Sequence, residues 1–169
     1  MKLWVNVGLI VLLIVLNALL AGSEAALISA NNFQVKNDAD KGNKKAKKVI
    51  KYTENPTGFL STIQIGITFM GFINGAIAAD AFTGPLVNLF GLSGGWSGWP
   101  VVIQIVVTLI LTYFQVVFGE LVPKRIAIKK PEGFIYLTVG ALSVLTKIMK
   151  PLVWLLTVSA KGVSKVFGI

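Results

Sequence analysis

The sequence predicts an all-α integral membrane domain: three transmembrane helices plus a kinked juxtamembrane helix that lies as a belt around them. Three observations carry that prediction. Of the 169 residues, 54% are hydrophobic and 14% charged, and the mean hydropathy is +0.76, a composition typical of chains that live in lipid. The apolar residues gather in stretches close to the ~20 residues that a spanning helix needs. The 16 Lys and Arg behind the net charge of +9 fall in blocks, with none from Leu3 to Val35 and none from Tyr52 to Pro123. Blocks of that kind set membrane topology and argue against nucleic acid as a partner.

The first span, about 3–30, opens with an uncharged stretch from Leu3 to Gly22. A cleaved signal peptide would have a shorter apolar region and more than the one Lys that precedes it, so this helix is retained. A basic segment, 31–54, follows, with seven Lys between Lys36 and Lys51. It belongs on the cytoplasmic side, which places the N-terminus outside. Part of it has the character of a short amphipathic helix drawn to anionic lipid.

The second span, about 57–79, opens after Asn55-Pro56. The segment from Asp80 to Pro100 is rich in Gly, Pro and Trp and lacks Lys and Arg; it reads as an outer loop with Trp96 and Trp99 at headgroup level. The third span, about 101–122, returns to the cytoplasm at Pro123, Lys124 and Arg125. The belt, 132–165, begins with the apolar stretch Gly133 to Met149, at the short limit for a span, and is broken by Pro151. Basic residues at both ends favour a helix pair in the inner leaflet over a fourth crossing, and a cytoplasmic C-terminus. The whole chain, 1–169, is thus one transmembrane domain of a multi-pass cell-membrane protein.

The chain has no Cys and no His, so thiol chemistry, imidazole or thiolate metal sites and a histidine base are excluded. No nucleophile, base and orienting group can be assembled, and an enzyme is not expected. A bound metal would have oxygen ligands, which favours hard cations.

Polar residues inside the spans are the places where such oxygens occur. Gln104, Thr108, Thr112, Gln115 and Gly119 fall within roughly 80° of one face at about 100° per residue. Ser61, Gln64, Thr68, Gly71, Gly75 and Ala78 share an arc of about 100° on the second helix, and Gly71 and Gly75 form a G-x-x-x-G pair that admits a close neighbour. Asn17 and Glu24 share a face of the first helix, with Ser23 beside it. Three polar faces can line one cavity; the plainer reading is that they only glue helices together.

The run Phe118-Gly119-Glu120-Leu121-Val122-Pro123-Lys124 is the sharpest local feature. Pro123 has no amide hydrogen, so the carbonyl of Gly119 loses its helical partner and the chain kinks or widens its turn. That sets a backbone oxygen next to the Glu120 carboxylate, the two ligand types that a hard cation prefers. The rival reading is a plain i,i+4 ion pair between Glu120 and Lys124.

Three motifs taken together resemble a known family. Asn-Ala-Leu-Leu-Ala-Gly-Ser-Glu-Ala-Ala at 17–26, Leu-Ser-Thr-Ile-Gln-Ile-Gly-Ile-Thr at 60–68 and Gly-Glu-Leu-Val-Pro-Lys-Arg at 119–125 resemble the membrane domain of the CNNM/CorC magnesium transporters. The resemblance implies a homodimer, three spans plus a belt, and a cytoplasm-facing cavity that binds a largely dehydrated Mg2+. It makes Ser23, Gly119 and Glu120 the expected metal ligands, with Thr68 from the second helix. Relatives often carry Asn soon after the Gly of the second motif, where this chain reads Gly66-Ile67-Thr68, so Gln64 and Asn74 also stand as second-helix ligands. Relatives usually continue into cytoplasmic nucleotide-binding CBS modules; this chain stops just after the belt, which reads as a shortened form without them. The expected function is Mg2+ transport through an inward-facing, oxygen-lined cavity, with Na+ as an alternative or coupled ion. The alternative is a non-transporting membrane anchor or sensor that dimerises and binds partners.

Overall fold

The computed structural model describes residues 2–166, so the two ends of the expected domain 1–169 lie outside the described residues. The described chain is helical almost throughout. Its helices are α1 (Lys2–Ser29), α2 (Asn32–Asp40), α3 (Lys44–Thr53), α4 (Pro56–Leu89), α5 (Trp99–Val116), α6 (Val122–Lys129) and α7 (Pro131–Val166). A π-helical turn, Val117–Leu121, joins α5 to α6, and a short 3-10 turn, Leu92–Gly94, precedes α5.

Asparagine starts three of these helices. Asn31 Oδ1 accepts from the Phe33 and Gln34 amides, Asn43 Oδ1 from Lys45 and Ala46, and Asn55 Oδ1 from Gly58. Each satisfies donors that a helix start leaves unpaired. Pro56 and Pro100 sit in first turns, where their missing N–H costs nothing. Gly42 turns the chain between α2 and α3 at φ +94°, which favours glycine.

α1 is the hub, packing against α4, α6, α7 and the π turn. Small side chains make this close packing feasible: Ala21, Ser23 and Ala26 are buried, and a Cβ on Gly22 would lie 2.5 Å from the Phe134 ring of α7. The larger core joins Leu20, Ala25 and Leu27 to Val35, Ala39, Ala46, Val49, Ile63, Ile135, Val139 and Leu142. The smaller one holds Ile10, Ala78 and Val107, where α1, α4 and α5 meet.

Three expectations are adjusted. The basic segment 31–54 is a pair of helices packed into the larger core by Val35, Ala39, Ala46 and Val49; its lysines project from a folded hairpin. The expected outer loop from Asp80 begins later, because α4 runs through Pro85 to Leu89. Buried Ala81 and Val87 on either side hold that turn, and membrane helices tolerate such prolines. Among the described residues, four helical stretches are long and apolar enough to cross a membrane: Leu3–Ser29, Gly58–Leu89, Trp99–Lys129 and Pro131–Val166. The last, expected as a helix pair broken at Pro151, is one helix that continues through that proline, and only its first half contributes buried residues.

Candidate functional site: an oxygen-lined cleft at a widened turn

A helix passing through Pro123 must dispose of the carbonyl four residues earlier. Here the chain widens by a residue: the Val122 amide donates to the Val117 carbonyl in the i→i+5 pattern of the π turn. Such turns occur where a ladder is interrupted and recur at functional sites. The Gly119 carbonyl instead accepts from Asn17 Nδ2 of α1, 3.0 Å away and buried. Gly119 is what permits this approach, since a Cβ there would lie 3.2 Å from Asn17 Nδ2. The expected backbone oxygen therefore exists, but one of its lone pairs is already engaged.

Donating to Gly119 fixes the Asn17 amide and leaves its Oδ1 buried without a hydrogen-bond donor. Asn74 repeats the pattern from α4: its Nδ2 donates to Gln115 Oε1 at 2.7 Å, and its own Oδ1 is buried and unsatisfied. Buried acceptors without donors are rare in folded proteins and call for an explanation such as an ion or ordered water.

Between α4 and α5 runs a partly open cleft of about 570 Å³. Its polar lining comprises Asn17, Thr68, Gln104, Thr108, Thr112, Gln115 and Glu120. Gly71 and Gly75 open its α4 wall, and Ile67, Phe72, Leu111 and Val116 supply apolar surface. The Thr68 and Thr108 hydroxyls donate to carbonyls one turn back, which turns their lone pairs outward.

Glu120 also meets its i+4 neighbour. Lys124 Nζ donates to Glu120 Oε1 at 2.8 Å and lies 3.2 Å from Glu24 Oε2 of α1. That second contact is a charge contact without hydrogen-bond alignment, and Glu24 Oε2 is buried with no aligned donor. Two carboxylates from different elements thus share one ammonium.

The expected site residues divide accordingly. Thr68 and Glu120 line the cleft, and Gly119 lies behind Asn17. Ser23 faces the other way: it is fully buried and its hydroxyl donates to Thr138 of α7 at 2.8 Å. The cause is helical geometry, since six residues separate Ser23 from Asn17 and put them on faces about 120° apart. Gln64 is exposed one turn from Thr68, outside the lining, and Asn74 is buried behind Gln115. Asn17, noted in sequence only as part of a polar face, is the residue that organises the site. Among the described residues no three acidic side chains converge, so neutral oxygens and water would complete any cation's shell.

Comparisons with known proteins place the chain in a family. A UPF0053 protein of Synechocystis is 39% identical over 95% of this chain, and the UPF0053 protein YhdP of Bacillus subtilis is 33% identical over 98%. A protein of Haemophilus influenzae named polyamine export protein is 29% identical over the full chain. The chain spans 36%, 37% and 39% of the lengths of these three relatives, respectively. The family model described as the Cyclin M transmembrane N-terminal domain matches residues 8–169, and the chain belongs to that family, CNNM.

Proposed function

We propose that this domain transports Mg2+, admitted through the α4–α5 cleft and bound at its π-turn end by Glu120 and the Asn17 side-chain oxygen. The single observation behind this reading is that Asn17, whose Oδ1 is buried without a donor, lines the same cleft as a carboxylate. Mg2+ commonly takes one or two carboxylates and keeps several waters. Thr68 and Gln115 stand where those waters would be held. In a membrane, an acid that faces a cleft is best explained by an ion path. The site is equally open to competition or coupling by Na+, also a hard cation.

The direct test is Mg2+ flux in liposomes. Glu120→Ala is expected to abolish flux while the protein stays folded by circular dichroism and gel filtration; undiminished flux overturns the assignment and leaves the anchor or sensor role.

One observation supports a second cargo. Glu24 and Glu120 already grip a primary alkylammonium, that of Lys124, and the apolar surface of the cleft suits a methylene chain. With a relative named for polyamine export, a polyamine belongs in the same flux assay, and its failure to compete with Mg2+ removes this reading.

We further propose that α1, α4 and α5 cross the membrane with the N-terminus outside, that α7 is the inner-leaflet belt, and that the working unit is a homodimer. The basic residues at both ends of α7 and its tie to the α2–α3 hairpin support the belt. The chain has no Cys, so single cysteines at Lys45, Trp96 and Lys161 report sidedness without background. The belt predicts labelling of positions 45 and 161 from one side and 96 from the other; labelling of 161 with 96 establishes a fourth crossing.

A further inference from the structure

We infer that Lys124 is a tethered counter-cation: its ammonium, held between Glu24 and Glu120, occupies the Glu120 carboxylate that the cargo must reach from the cleft, and it releases Glu120 when cargo binds. The inference deepens the cation-transport reading and rests on it.

Three features of the structure carry it. First, the ammonium is held by two carboxylates from separate elements, Glu120 of the π turn at 2.8 Å and Glu24 of α1 at 3.2 Å. Second, the Glu24 oxygen facing it is buried and has no aligned hydrogen-bond donor, and among the described residues Lys124 is its only cationic neighbour within 4.0 Å. With Lys124 gone and nothing in its place, a half-buried carboxylate with one oxygen shut off from solvent would stand uncompensated beside a second one, an arrangement that favours drawing in another cation. Third, the Lys124 side chain is 29% exposed, so its flexible four-carbon stem has a way out to solvent.

Mutual exclusion follows from charge. A divalent cation in the cleft cannot take Glu120 fully while the ammonium stays on the same carboxylate, because two cations at contact distance repel each other. Loading therefore exchanges one cation for another instead of filling an empty anionic hole. The exchange weakens net binding, which suits a transporter whose site must hold cargo loosely enough to let it go. It also gives the i,i+4 ion pair and the ion-site reading of Glu120 one common explanation: they are two partners of one carboxylate.

The experiment uses the full chain in lipid nanodiscs with Mg2+ as the probe. Lys124→Gln should bind Mg2+ at least about tenfold more tightly than the parent by calorimetry, while flux at saturating Mg2+ falls because release slows. In the unmutated protein, acylation of the Lys124 amine, mapped by mass spectrometry, should rise several-fold on Mg2+ saturation, with exposed Lys161 as an unchanged reference. This second readout needs no variant and stands even where Lys124→Gln fails to fold. Parent binding without tightening in Lys124→Gln, or acylation indifferent to Mg2+, overturns the counter-cation while leaving transport intact. Absence of Mg2+ binding in parent and variant alike overturns both readings.

Discussion

The two sides of α1 treat their polar groups in opposite ways. Toward α7 and the α2–α3 hairpin, the ties are between partners. Ser23 donates to Thr138, Tyr52 to Ser143 and Tyr136 to Asp38, and Glu132 accepts the Asn31 amide. Toward α4, α5 and the π turn, Asn17 and Asn74 each spend their amide hydrogens and leave an oxygen buried without a donor. The first side resembles a finished interface. The second keeps two acceptors open to a cation or an ordered water, and that difference distinguishes the two sides more sharply than the count of polar residues does.

The largest expected effect comes from closing the widened turn. Pro123→Ala restores an amide hydrogen that can pair with the Gly119 carbonyl. The π turn should then relax toward an α turn, releasing Asn17 and rotating Glu120 away from the cleft. Mg2+ flux should be nearly lost although thermal stability holds or rises; intact flux would show that the turn's geometry is incidental. Asn17→Leu comes next, because it removes the donor-free oxygen and also strips Gly119 of its partner. Losing about 1.4 kcal/mol of cation binding would weaken affinity about tenfold, and a titration of flux against Mg2+ should show at least that shift.

Ser23 sharpens the contrast. Family resemblance makes it a ligand, whereas the structure joins it to α7. If it serves packing, Ser23→Ala and Thr138→Val should each cost about 0.6 kcal/mol, at most about 1.7, with strong coupling in the double variant and only modest loss of flux. Flux abolished by Ser23→Ala but preserved in Thr138→Val would instead assign the Ser23 oxygen to the cation.

Sequence reading succeeded where the determinants are local. The apolar stretches and lysine blocks place the long helices, and the missing hydrogen of Pro123 marks the carbonyl of Gly119. It did not supply the partner of that carbonyl, because Asn17 lies 102 residues away and only packing of α1 against the π turn brings the two together. Ser23 and Asn17 show the same limit from the other side. Both are small polar residues of one helix, and periodicity separates their faces without saying which face meets the cleft. The end of α4 has a related cause: the segment from Asp80 on is rich in Gly and Pro and reads as a loop, whereas burial of Ala81 and Val87 keeps the helix going through Pro85 to Leu89.

The smallest effect is expected on the finished side. Tyr136→Phe deletes the hydroxyl that donates to Asp38 at 2.9 Å while keeping the ring, so about 1 kcal/mol of stability should go. Asp38 loses one donor there and, unlike the Asn17 oxygen, can turn to water, since its carboxylate belongs to a half-buried residue of a surface hairpin. Mg2+ affinity and flux should stay as in the parent, because nothing in this tie reaches Glu120. A fall in flux out of proportion to the stability loss would mean that the belt and its hairpin move with the cleft, and the two sides of α1 would have to be treated as one coupled machine.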